Sequence, residues 1–402
     1  MPSSKWIRAL AALALLAVPP HAFAAAAAPA PRNLLLNPGF EHGIQGHDWM
    51  PANWDTSDAG VSTVFFGRDT LSRHSGQYSV NIANTSTVWG FNHNWRQVVL
   101  VGREAWGKTA VFSVWTRNVG VEGRAYVMIQ AYRDTITRQA VIWGVDRDEA
   151  RRRMQINAIS DPIVNLGWKR EAFEEPETPW VRREVRVHVP ESVNAIYVRC
   201  GLAGTGQVMF DDASLTLVAS PPPPPVAVGR NLLQDPGFEA GALQWEWVMP
   251  PFEGARIERD STVLHGGKVS IHFSNMNQGY TPSRMGMAQA LDARPLRGKH
   301  IRLSGWFKGD SLITTAFAKV YCDTQHGMEQ SGTGALLSGT FDWSQNSTEF
   351  DVPKDAVVVW AYLMFNAPSQ GACWMDDGSL EVVGSSADAA PASSNTPAAK
   401  HR

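Results

Sequence analysis

The sequence has little cysteine, no surplus of charge and no long apolar run beyond its opening segment, and each shortage removes a class of protein. Its 402 residues hold three cysteines, Cys200, Cys322 and Cys373, too few for a disulfide-built scaffold. Thirty-six basic against 38 acidic side chains leave a formal charge of −2, with no excess to drive nucleic-acid or acidic-membrane binding. Catalytic signatures are missing too. There is no His-Glu-x-x-His helix, no Gly-x-Ser-x-Gly elbow, no phosphate loop and no cysteine pair at metal spacing. Glu174, Glu175 and Glu177 form an acidic run in a proline-containing segment, whereas glycosidic hydrolysis needs two carboxyls on opposite sides of the bond. No catalytic residue is assigned.

What is present suits strands. Apolar residues make up 44% of the chain, enough for two or three cores at this length. Sixteen Trp with 34 Gly and 25 Pro fit many short strands, many turns and aromatic surfaces. The opening reads as a signal peptide, residues 1–24: Lys5 and Arg8 precede the apolar run Ala9 to Val18, and Ala22-Phe23-Ala24 offers small residues for cleavage. A ten-residue apolar helix rises about 15 Å, half of a bilayer's apolar thickness, so it is no transmembrane anchor. A secreted or periplasmic protein is expected.

An internal repeat organises the rest. Arg32 to Glu41, RNLLLNPGFE, returns as Arg230 to Glu239, RNLLQDPGFE, with eight of ten positions identical. His74-Ser75-Gly76 and Trp115 match His265-Gly266-Gly267 and Trp306, and Asp211-Asp212 matches Asp376-Asp377 just before each last strand. Between the copies, Ser220 and Pro221 to Pro225 read as a stiff polyproline spacer holding two bodies apart. The expected domains are therefore 32–219 and 229–384, with a linker at 220–228 and a disordered tail at 385–402. Trp115 and Val189 stand 74 positions apart but Trp306 and Val352 only 46, so the first copy carries an insertion near 143–178. Asp146 to Arg153, acids first and arginines last, reads as a short helix there. It is either a lid over a sheet or, more simply, a solvated surface helix.

Alternation of apolar residues over short runs points to half-buried strands. Val127, Ile129 and Ala131 face a core, which puts Tyr126, Gln130 and Tyr132 on the other side. By the same alternation Tyr197 and Arg199, then Phe317, Lys319, Tyr321 and Asp323, then Trp360, Tyr362 and Asn366 are outward. Aromatic plates flanked by planar polar groups suit a pyranose, whose flat C–H face stacks while its hydroxyls pair at the rim. The same pattern also serves plain cross-strand packing. The turn histidines His74 and His265 are explained by turn structure.

The openings RNLLLNPGFE and RNLLQDPGFE, the turns HSGQYSV and HGGKVSI, and the endings FDDASL and MDDGSL resemble carbohydrate-binding modules of the family 4 and family 9 type. That resemblance spans both copies. It implies an all-β chain of two tandem jelly-roll β-sandwiches that bind oligosaccharide or polysaccharide without cutting it. It also implies a structural calcium ion, held by Glu41, Asp211, Asp212 and a carbonyl near Gln77 in the first copy. Glu239, Asp376, Asp377 and the region of Lys268 would hold it in the second. A carbohydrate-active enzyme, hydrolase or lyase, and an extracellular structural or adhesion protein are the alternatives. Three further expectations follow: a disulfide between Cys322 and Cys373, stronger glycan binding by the second copy, and weaker polysaccharide retention on replacing Trp360 or Tyr362 by Ala, with melting nearly unchanged.

Overall fold

The computed structural model describes residues 31–57, 63–86, 93–155, 163–248, 255–275, 285–366 and 370–385, apart from the side chains of 329–332. The expected signal peptide, residues 1–24, and nearly all of the expected tail lie outside the described residues. Among the described residues no helix is long and apolar enough to cross a membrane.

The first half holds a short ribbon of β1 (Gly43–Ile44) and β2 (His47–Pro51), then β3 (Asp55–Ser57), β4 (Val64–Asp69), β5 (Ser79–Asn84) and β6 (His93–Leu100). After these come β7 (Lys108–Asp134), helices α1 (Thr135–Trp143) and α2 (Arg147–Arg153), β8 (Ile163–Phe173), β9 (Val181–His188) and β10 (Ala195–Ala219). The two long strands, β7 and β10, pair along almost their whole length and belong to both layers of a sandwich. One layer runs β3-β6-β10-β7-β8. The other runs β4-β5-β10-β7-β9, using the opposite ends of the same long strands. Glycines make the bend between layers. Gly123 and Gly206 have φ of +100° and +90°, and a Cβ on Gly206 would overlap the carbonyl of Gly120, so only glycine fits that crossing.

The second half repeats this plan with β11 (Glu246–Trp247), β12 (Ala255–Asp260), β13 (Ser270–Asn275), β14 (Met285–Asp292) and β15 (Lys299–Thr324). It continues through β16 (Gly327–Thr333), β17 (Leu337–Asp351), β18 (Ala356–Phe365) and β19 (Gly371–Ser385). Its layers run β11-β14-β18-β15-β16 and β12-β13-β19-β15-β17. The chain is two tandem jelly-roll β-sandwiches. Apolar residues between the layers, among them Trp95, Phe112 and Phe210 in the first and Trp245, Phe273 and Phe307 in the second, are fully buried, each contributing roughly 1.5–3 kcal/mol.

The repeated opening motif has a mechanical role. Asn33 donates to the Ala213 carbonyl and accepts from the Leu35 and Leu215 amides. Asn231 does the same with Gly378, Leu233 and Leu380, so each copy's first segment is tied to its last strand. Phe40 packs on Trp54 and Phe238 on Trp245, at 4.8 and 5.1 Å.

Two expectations are corrected here. Cys322 and Cys373 are not bridged; they lie in β15 and β19, in opposite layers, and serve as apolar core side chains. Nor does the proline spacer hold two bodies apart. The apolar cluster of the first sandwich continues into Ala288, Val357, Val358 and Trp360 of the second. Arg124 crosses the seam to the Trp245 carbonyl at 2.7 Å, with its guanidinium 4.2 Å from the Trp247 ring.

Candidate functional site

In the first copy the residues expected to face outward do share one face, but that face is covered. Tyr126 is 1% exposed, with the Arg170 guanidinium 5.1 Å from its ring. Gln130, also buried, donates to the Tyr132 hydroxyl and accepts from Arg199 Nε. Tyr197 meets Tyr132 edge-on at 5.2 Å. Its hydroxyl donates to Asp134 Oδ2 at 2.7 Å and lies 3.0 Å from Thr137 Oγ1. Asp134 also caps α1 by accepting from the Thr137 amide, so α1 is a cover over Tyr197. The expected helix is α2, capped by Asp146, with Asp148 and Glu149 in its first turn and three arginines in its last. It is largely solvated, with Ala150 buried, and the covering helix beside it is an addition that the repeat did not foretell.

The second copy's plate is turned inward as well. Tyr321 and Tyr362 stack at 5.3 Å with hydroxyls 2.9 Å apart. Trp360 is 8% exposed, packs against Trp168 of the first sandwich at 5.1 Å, and donates Nε1–H to Asp323 Oδ2 at 2.8 Å. Asn165 of the first sandwich donates to the same oxygen at 2.8 Å. Burial holds the Asp323 carboxyl above the usual carboxylate range and pushes the Tyr362 hydroxyl up. Phe317 is buried; Lys319 and Asn366 are half-buried. The expectation of an open aromatic plate is thereby corrected: Trp168 and Asn165 of β8 lie against it. Neither residue has a counterpart in the repeat, because both sit in the insertion, which is why pattern reading missed them.

At the edge of this seam is a cavity of about 550 Å³. Its walls include Trp168 and Lys169 from the first sandwich, Pro221 and Pro224 from the linker, and Gln289 and Leu291 from the second.

Some of the carboxylates expected to hold calcium lie near Gly39 and Gly237. A Cβ on Gly39 would lie 3.7 Å from Asp212 Oδ1 and 3.8 Å from Glu41 Oε1, and one on Gly237 would lie 3.4 Å from Asp377 Oδ1 and 3.9 Å from Asp376 Oδ1. Their oxygens face amides, however. Glu41 accepts from the backbone N–H of Gln77 and Glu239 from that of Lys268. Asp211 accepts from His74 and Ser75, and Asp376 from His265 and Gly266. Asp212 and Asp377 pair with the His74 and His265 rings at 2.7 Å. Burial, reinforced by the charge of Asp212, pushes Asp211 up to about 6. Among the described residues no group of three or more acidic, histidine or cysteine side chains is placed to hold a metal. Carboxylate oxygens are the donor type that a hard cation takes, and here they are engaged by the amides and imidazoles just named. His74 and His265 also stack on Trp115 and Trp306 of the long strands at 3.8 and 3.9 Å.

The acidic run is structural in position. Glu174 pairs with Arg124, Glu175 with Arg183, and Glu177 accepts from the Gly120 amide.

No protein-family model matches this chain, and no curated protein does. Solved structures do. The CBM22-1–CBM22-2 tandem domain of Xyn10C from Paenibacillus barcinonensis aligns with 90% of this chain and 100% of its own, at 14% identity and a TM-score of 0.30. The C-terminal family 22 carbohydrate-binding module of Clostridium thermocellum Xyn10B aligns with 40% of this chain and 98% of its own, at 19% identity and a TM-score of 0.32. A family 22 xylan-binding domain covers 39% and 97%, at 18% identity and a TM-score of 0.31. The sandwich assignment rests on the strand ladders described above.

Proposed function

We propose that this is a secreted, non-catalytic glycan-binding protein, its two halves modules of the family 4 and family 9 type acting as one unit. The observation that carries the reading is the seam. Aromatic and polar positions recurring in both copies converge there, and a cavity walled by Trp168 with planar polar groups opens beside them. Its volume lies within the roughly 300–1,000 Å³ usual for ligand sites. The sheet-face residues from Tyr126 to Asn366 then frame the seam, and the residues at the cavity contact sugar.

Affinity electrophoresis through gels containing xylan, β-glucan, mannan or polygalacturonate is the test. Retardation by at least one polymer is expected, weakened about tenfold by Trp168→Ala, the scale of one stacking contact. Shortened polymer after incubation would establish an enzyme instead. Absence of retardation on every polymer, with protein partners captured regardless of sugar, would favour the adhesion alternative.

Calcium belongs to the same proposal, with Glu41, Asp211 and Asp212, and Glu239, Asp376 and Asp377, as the residues that would hold it. A cation bound only by the native state raises the melting temperature by mass action. Melts in millimolar calcium are expected to exceed those in chelator; coincident curves would remove the ion from the account.

A further inference from the structure

Charge on the seam cavity is one-sided once its internal pairs are counted. Asp292 on its wall is engaged by Arg294, at 2.9 Å to Nε and 2.6 Å to Nη2. Glu246 is engaged by Arg170. Both acids are therefore neutralised within the protein, which leaves Lys169, Arg186 and Arg297 as the other cations of the lining, and Arg297 donates Nε–H to the Ala356 carbonyl. Arg186 reaches away to Glu184 at 2.8 Å.

Lys169 is the exception. It stands opposite core-facing Ile129 in the β7–β8 register and lines the cavity. It has neither a hydrogen bond nor an ion pair among the described residues. Burial lowers it from the ordinary lysine value, and the charge of Glu171 offsets only part of that. A half-buried ammonium with no ion pair, and only the charge of Glu171 to offset its burial, is costly unless something supplies a closer partner.

We propose that the seam cavity selects a carboxylated glycan, an oligosaccharide bearing a uronic acid, with the carboxylate on the Lys169 ammonium. This rests on the glycan reading above and adds the charge of the ligand to it. A carboxylate answers the unpaired ammonium by a charge-assisted hydrogen bond, which a neutral hydroxyl does not match.

The test is calorimetric titration of the full chain with trigalacturonate and with neutral xylotriose and cellotriose, on the parent and on Lys169→Met and Lys169→Arg. Trigalacturonate is expected to bind at least about tenfold more tightly than either neutral trisaccharide. Lys169→Met should bring that ratio close to one, and Lys169→Arg should restore most of it. Equal affinity for acidic and neutral sugars, or a preference untouched by Lys169→Met, overturns the carboxylate assignment and leaves glycan binding standing. Binding of none of the three, together with no retardation in any gel, overturns both.

Discussion

Trp360→Ala is expected to destabilise the protein by about 3–5 kcal/mol, the cost of emptying a large aromatic site in a packed interior. Trp360 is 8% exposed, and its ring meets Trp168, Tyr321 and Tyr362 at 5.1, 6.2 and 6.0 Å. Its Nε1–H is one of two donors to the Asp323 carboxylate, the other being Asn165. Truncation leaves that buried carboxylate with half its partners, which adds to the cavity cost. Urea unfolding of parent and variant checks this, read as a shift in midpoint at constant slope. A loss under about 1 kcal/mol would show that the ring is not packed as described. The outcome separates two views of this residue, because an exposed sugar plate would leave stability nearly unchanged.

Arg170→Ala is expected to cost a similar amount, about 3–5 kcal/mol, by leaving the buried Glu246 carboxylate without its cation. Arg170 and Glu246 side chains are each 11% exposed, and the pair links the two sandwiches. The guanidinium also lies over Tyr126 and Trp168, at 5.1 and 5.9 Å, and burial pulls it down to about 10. Removing both charges together, as Arg170→Met with Glu246→Leu, should recover most of the loss, since well-packed apolar residues replace buried ion pairs at little cost. Because the pair spans the seam, scanning calorimetry of Arg170→Ala should split melting into two transitions, one per sandwich. A single transition at the parent's temperature would mean that the pair does not hold the seam.

The repeat explains why so much of the architecture was legible beforehand. Two copies of one motif order restrict each half to the same topology, and alternation in β7 placed Val127, Ile129 and Ala131 in the core, where all three are fully buried. The meeting of each copy's first and last segments was equally readable from the repeated motifs, and the Asn33 tie makes it. Local pattern also found α2, whose cap and charge order need no tertiary partner.

Tertiary structure alone decided what the outward faces meet. Alternation tells which side of a strand a residue occupies, not whether that side meets water, and β8 lies in an insertion without a second copy to compare. Trp168 against Trp360, Asn165 against Asp323 and Arg170 against Glu246 join residues more than 70 positions apart, so no local signal records them. The cysteines teach the same lesson: sharing a domain placed Cys322 and Cys373 in one core but on opposite layers. Composition and periodicity determined the strands, since burying alternate residues is a local instruction, and the resemblance of the repeated motifs supplied the sandwich. The seam, its cavity and its unpaired lysine come from how two finished surfaces pack, which depends on shape and charge matching at long range.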